Sequence, residues 1–171
     1  MKQDENGIYY YQIYEPHDSG NNLKFNKETG GLILDMKEGR GKALKLFTER
    51  LTSEIAPFDN KKEVLFVCPS TSRAGISRLV QNLGKEFWVE VKIDLFYHFS
   101  DEGLKHQSSD GNMSNMMKTL KIRDANLDGK KKIVIFDDIT NSGTTLLACK
   151  KLLEEKGDFE IILIAVGKTA E

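Results

Sequence analysis

Cysteine is scarce in this sequence: Cys68 and Cys149 are the only two in 171 residues, and they form no CxxC pair. That spacing excludes a disulfide-stapled scaffold and a zinc ribbon. Net charge is nearly absent as well, with 25 lysines and arginines against 26 aspartates and glutamates. A broad basic surface for duplex nucleic acid is therefore excluded, and nucleic acid is not an expected partner. Long apolar runs are missing: Ile161–Val166 is among the longest, far short of the roughly 20 residues that span a bilayer. The start, Met1-Lys2-Gln3-Asp4-Glu5, is polar and acidic and has no secretory leader pattern, so a cytoplasmic location is expected. Proline occurs only three times, and no repeat, low-complexity tract or linker divides the chain. What remains is an ordinary globular balance, 39% hydrophobic and 30% charged, which suits a folded chain rather than a disordered one. Its length fits one domain over residues 1–171, able to bury about 70% of its unfolded surface without disulfide or structural metal.

Residues Ile8–Tyr14 (IYYYQIY) are aromatic and β-prone, and Glu15–Asn22 is rich in turn formers. Residues 1–30 are expected to form a small β-rich hood or extension. Leu44, Phe47, Leu51 and Ile55 then recur at helical spacing, with Pro57 just beyond. From Glu63 onward the pattern alternates. The apolar run Glu63–Cys68 (EVLFVC) predicts a strand, and Ile76, Leu79, Val80, Leu83 and Phe87 predict a helix. Val89, Val91, Ile93 and Leu95 have strand period, and a long polar loop runs from Ser100 to about Asn112. Lys132–Phe136 (KIVIF) predicts a buried strand, Thr144–Glu155 a third helix and Ile161–Val166 a last strand. Strands that are apolar on both faces and separated by helices imply an α/β domain of three layers, a mainly parallel sheet covered on both sides. Ligands of such folds bind at the carboxyl ends of the strands, which points to the loops at 69–75, 100–112 and 138–144.

The sharpest local signal is Ile133-Val134-Ile135-Phe136-Asp137-Asp138-Ile139-Thr140-Asn141-Ser142-Gly143-Thr144-Thr145. A buried strand delivers two adjacent carboxylates, then a loop of small hydroxyl residues and one glycine, then a helix. Neighbouring strand residues face opposite sides, so the two acids share a face only if the strand ends at them. The helix start presents unpaired N–H groups and the positive end of the helix dipole. With hydroxyls from Ser142, Thr144 and Thr145 beside it, this is a phosphate pocket, and carboxylates about one ribose away suit a sugar phosphate and a hydrated Mg²⁺. A plain N-cap with a solvated acid would produce part of the same pattern. A Walker B strand does not fit, because its GxxxxGK[ST] partner is missing: Gly167-Lys168-Thr169 would need glycine where Ile162 stands. A receiver domain would carry its acid pair after the first strand, not before the last.

The thirteen-residue run resembles the PRPP-binding motif of type I phosphoribosyltransferases, and the likeness is greatest to the ComF-like branch. Leu34-Asp35-Met36-Lys37-Glu38-Gly39 is similar to that branch's hydrophobic–Lys–x–Gly segment. Phe66-Val67-Cys68-Pro69 with Arg73 resembles its strand and pyrophosphate loop, and Gln107 and Asn115 fall where its flexible loop has Gln and Asn. The resemblance covers roughly residues 32–169. It implies a Mg²⁺-dependent enzyme that moves a phosphoribosyl group from PRPP to a nucleobase-like acceptor and releases pyrophosphate, acting as a homodimer. By the same resemblance Asp137 and Asp138 would be the catalytic and metal-contacting acids. Thr140, Asn141, Ser142, Gly143, Thr144 and Thr145 would hold the 5′-phosphate, and Ser70, Thr71, Ser72 and Arg73 the pyrophosphate. Arginine's planar fork of donors suits that last task.

Three departures qualify the likeness. Asn141 stands where the 6-oxopurine branch has a general-base aspartate, and an amide cannot accept the proton. The ComF-like loop has an arginine shortly before its asparagine, but here that stretch is Gly111-Asn112-Met113-Ser114, leaving Lys105 or His106 as the lid cation. The N-terminal zinc finger of many ComF-like proteins is absent. His17 and His98 read as isolated or structural, Met113, Met116 and Met117 as core filler, and Cys68 as a packed thiol. Lys130-Lys131-Lys132 reads as a solvated turn, and Lys168 as a surface lysine.

Overall fold

The computed structural model describes residues 1–14, 29–69, 74–99 and 113–169. Its elements, in chain order, are β1 (Lys2–Gln3), β2 (Ile8–Tyr14), α1 (Thr29–Lys37), α2 (Gly41–Glu54), β3 (Val64–Val67), α3 (Ala74–Phe87), β4 (Glu90–Lys92), β5 (Phe96–His98), α4 (Met113–Thr119), β6 (Leu120–Ile122), β7 (Lys132–Thr140), α5 (Thr144–Glu154) and β8 (Glu160–Thr169). The main sheet has six strands in the order β1-β2-β8-β7-β3-β4. All its pairings are parallel except β1 with β2. This is the α/β architecture with a mostly parallel central sheet that the alternating pattern predicts.

Period-2 alternation along the central strands divides the core in two. Val64, Phe66, Val134, Phe136, Ile164 and Val166 face the layer of α1, α2 and α3. Leu65, Val67, Ile133, Ile135, Leu163 and Ala165 face α4 and α5 on the other side. Both sets are buried, which is why these strands read as continuous apolar runs instead of alternating ones. Ring contacts of Phe66 with Phe58, Phe87 and Phe136, at centroid separations of 5.6, 6.0 and 5.0 Å, knit the first layer.

Three elements differ from the sequence expectation. Ile8–Tyr14 is not part of a separate hood: β2 is a full parallel neighbour of β8, with Ile8 opposite Leu163 and Tyr14 opposite Thr169. Its tyrosines supply core contact on both faces while keeping a polar tip, so no apolar run marks it. Tyr11 meets Phe47 of α2 edge-on at 6.3 Å, whereas Tyr10 packs against the α5 side. The expected strand over Val89–Leu95 is split. Only Glu90–Lys92 joins the main sheet, and after a turn Phe96–His98 pairs antiparallel with β6 as a separate ribbon. The switch comes where Leu95 and Phe96 bury into the second core cluster. Finally, α1 arises from a glycine-containing stretch of low helix propensity, and it is held by packing of Ile33 and Met36, both wholly buried.

Lys130 is likewise no solvated residue. Its ammonium bonds the Lys62 and Val64 carbonyls and lies 2.7 Å from Glu90, with its side chain 10% exposed. Lys131 and Lys132 pair with Glu63 and Glu160. No helix among the described residues is long and apolar enough to cross a membrane.

Candidate functional site

The chain leaves β3 toward β4 and leaves β7 toward β8, on opposite sides of the β3–β7 pair. Between these two strands the winding reverses, and in α/β sheets the carboxyl ends of the strands at such a reversal are where a ligand crevice forms. One wall starts at Cys68 and Pro69, both buried. The other is Asp137 to Thr145, so the fold brings the strongest sequence motif to the position where α/β sheets bind ligands.

β7 does not stop at the acid pair but continues to Thr140. Its alternation therefore persists, and the two carboxylates diverge. Asp138 follows Val134 and Phe136 toward the α1–α3 layer and is 1% exposed. Asp137 follows Ile133 and Ile135 toward α5 and is half-buried. The Asp137 charge is felt by Cys149 of α5: burial first, and this carboxylate second, push the Cys149 thiol well up from its ordinary value. Each acid also accepts a bond from the next backbone N–H, Asp138 N to Asp137 Oδ1 at 2.8 Å and Ile139 N to Asp138 Oδ1 at 2.7 Å.

Thr140 is thus the last strand residue, 4% exposed, and its carbonyl accepts a bond from the Thr169 hydroxyl. The exposed part of the loop is Asn141 and Ser142. Gly143 precedes α5 in the left-handed conformation at φ 75°, and it provides the helix no side-chain cap. A Cβ at this glycine would stand 2.4 Å from Ile8 Cδ1. The turn therefore needs glycine twice over, for its φ and for the side chain that β2 packs beneath it. Ser142 and Thr144 hydroxyls lie 2.7 Å apart, both at the start of α5 where backbone donors and the dipole favour an anion.

One residue of this crevice stood in the sequence without a role. Lys37, at the end of α1, places Nζ 3.7 Å from Asp138 Oδ2. The only sequence signal was the hydrophobic–Lys–x–Gly segment. Lys168 also changes character. It pairs with Asp4 at 3.4 Å, with side-chain exposures of 16% and 4%, and so ties the N-terminal turn to the end of β8. Asn115 sits on α4, and Cys68 is a packed thiol as expected. Ser70, Thr71, Ser72, Arg73, Lys105, His106 and Gln107, together with His17, lie outside the described residues.

Residues 40–169 match the family described as the phosphoribosyl transferase domain. No curated protein matches the chain. Among solved structures, the xanthine-guanine-hypoxanthine phosphoribosyltransferase of Helicobacter pylori is similar at 21% identity and a TM-score of 0.51, covering 77% of this chain and 85% of that one. The adenine phosphoribosyl transferase of Trypanosoma brucei, solved with AMP, pyrophosphate and ribose-5-phosphate, aligns at 12% identity and a TM-score of 0.48, over 93% and 76% of the two chains. A hypoxanthine phosphoribosyltransferase of Staphylococcus aureus aligns at 17% and 0.45, over 82% and 73%. With a sheet that switches at β3 and β7, an acid pair at that switch, and a family match spanning most of its length, this chain belongs to the phosphoribosyltransferases.

Proposed function

We propose that the chain transfers the phosphoribosyl group of PRPP to a nitrogenous acceptor, with release of pyrophosphate, and that it stands in the ComF-like branch of its family. The observation that carries the reading is the juxtaposition at the β3–β7 switch point: a buried and a half-buried carboxylate followed directly by an uncapped helix start. In this reading the 5′-phosphate rests on the backbone donors at the start of α5, with Asn141, Ser142, Gly143, Thr144 and Thr145 around it and Thr140 fixing the loop from the strand. Asp137 and Asp138 take the ribose hydroxyls. Ser70–Arg73 would follow the carboxyl end of β3 and receive the pyrophosphate, with Lys105 or His106 closing over it.

Asp137 and Asp138 are hard oxygen donors, and no cluster of three or more metal-binding side chains occurs among the described residues. That donor set fits a Mg²⁺ carried in by the substrate's phosphates and met by one or two carboxylates, not a resident metal cage. When bound, the ion would neutralise charge on the departing pyrophosphate. The reaction asks the residues themselves for no nucleophile, because the acceptor nitrogen is the attacking group. They bind and orient the two reactants so that an acceptor nitrogen meets C1 as pyrophosphate leaves, and they stabilise an oxocarbenium-like transition state by preset charge. The chain would act in the cytoplasm as a homodimer, and Asn141 offers a 6-oxopurine acceptor no general base.

Asn141 favours a second reading, a regulator that binds PRPP or a nucleotide without turning it over, since an amide cannot serve as general base. Pyrophosphate release measured with a panel of purines and pyrimidines separates the two. Turnover with any base, lost in Asp138→Asn while the fold persists, is the expected result. Unchanged turnover in Asp138→Asn would remove the proposed site, and tight PRPP binding without turnover on any base would select the regulator.

A further inference from the structure

The Lys37–Asp138 pair has the geometry of a device for aiming a carboxylate. Asp138 is held at both oxygens: Oδ1 accepts the N–H of Ile139 at 2.7 Å, and Oδ2 faces Lys37 Nζ at 3.7 Å. The Asp138 and Lys37 side chains are 2% and 24% exposed, so the acid is buried and the lysine reaches it from a more open position. A carboxylate so buried requires a countercharge, and taking away one partner of such a pair is strongly destabilising. The lysine's base is fixed. Ile33 and Met36 of α1 are fully buried. Two residues beyond the end of the helix, Gly39 is left-handed at φ 75° and its N–H bonds back to the Met36 carbonyl. Gly75 of α3 approaches so closely that a Cβ there would stand 1.9 Å from the Met36 carbonyl and 2.6 Å from that of Lys37. The α1 backbone therefore has no room to slide toward α3, which fixes the base from which Lys37 reaches Asp138.

We propose that Lys37 is a positioning residue for Asp138, holding its carboxylate in the one orientation that presents it to PRPP. The assignment rests on the PRPP reading above, and it adds α1 to the elements that build the site. It also gives a physical reason for a lysine in the segment ahead of α2, where the sequence alone shows none.

The test is a double-mutant cycle on the full chain, with PRPP binding measured by calorimetry in the presence of Mg²⁺. Lys37→Met should weaken binding about tenfold, and Lys37→Arg should recover most of the loss, a coupling within the usual range for groups in contact. In the Asp138→Asn background Lys37→Met should change the affinity little. An equal loss in both backgrounds would overturn the proposal, because Lys37 would then act without Asp138. Urea unfolding of the same four chains keeps the two claims separate. If the unaltered chain bound no PRPP, the substrate reading would fail, and the pair would still be tested by whether Lys37→Met lowers the unfolding midpoint only where Asp138 is present. The same drop in both backgrounds would overturn the pairing itself.

Discussion

Replacing Gly143 by alanine tests how the N-terminal strand supports the candidate phosphate loop. Two costs are expected. An L-residue at φ 75° loses about 1 kcal/mol. The new Cβ would also stand 2.4 Å from Ile8 Cδ1, a clash with a wholly buried side chain, and overpacking of that kind costs about 1–3 kcal/mol. Together they predict about 2–4 kcal/mol, or a melting temperature roughly 5–15 °C lower for a chain of this size. Gly129 supplies the control, because it has the same φ of 75° but nothing within 4 Å of its Cβ position. Gly129→Ala should therefore show the first cost alone, about 1 kcal/mol. Ile8→Val removes the clashing methyl, so the double variant Ile8→Val/Gly143→Ala should be more stable than the sum of its single losses by about 1 kcal/mol or more. The assay is urea unfolding with a common slope. If Gly143→Ala costs no more than Gly129→Ala, or if Ile8→Val leaves the loss unrelieved, β2 does not buttress the loop and the reasoning fails.

Gly75→Ala should be costlier still, above about 3 kcal/mol, because the obstacle is the backbone carbonyl of Met36, not a side chain that can turn away. A near-neutral urea midpoint would show that α1 moves freely against α3. Cys68 and Cys149 are both wholly buried, and burial raises the Cys149 thiol, so neither should react with a thiol reagent at pH 8 until urea unfolds the chain; fast labelling of the native protein would contradict this. The Lys130 ammonium bonded to Glu90 holds that carboxyl below its usual value of 4.5. A depressed folded-state value stabilises above the unfolded value and is lost as pH falls through the folded one. The stability gap between the unaltered chain and Glu90→Gln should then be constant from neutral pH down to about 5 and close below 4.5. Because Glu90 is 47% exposed, the gap itself should not exceed about 1 kcal/mol, and a gap that widens on acidification would refute the assignment.

How much could be read from the chain alone follows from which forces are local. Ile133–Phe136 and Ile161–Val166 announce buried strands because both faces are covered, and the turn from Asp137 to Thr145 follows from strand, glycine and helix signals in one short segment. The layer helices were legible from Leu44, Phe47 and Leu51 and from Ile76, Leu79 and Leu83 for the same reason. β2 was legible as a strand from its aromatic, β-prone run, but its place beside β8 was not, since tyrosines give it no polar or apolar face and the pairing depends on partners far along the chain. The break after Lys92 was hidden because Ile93 and Leu95 continue the strand period, although the backbone turns to pair with β6. Asp137 and Asp138 read as a matched pair, yet two more strand residues send them to opposite layers. Lys37 became part of the site only through the packing of α1 on α3, which no local pattern encodes.

The central claim, that the crevice at the ends of β3 and β7 takes PRPP, is tested most directly by calorimetric titration of the full chain with PRPP, with and without Mg²⁺. The account predicts Mg²⁺-dependent binding in the micromolar range, about 8 kcal/mol, that is weakened but still measurable in Asp138→Asn. Absence of binding under both conditions, in a chain shown to be folded, would contradict it.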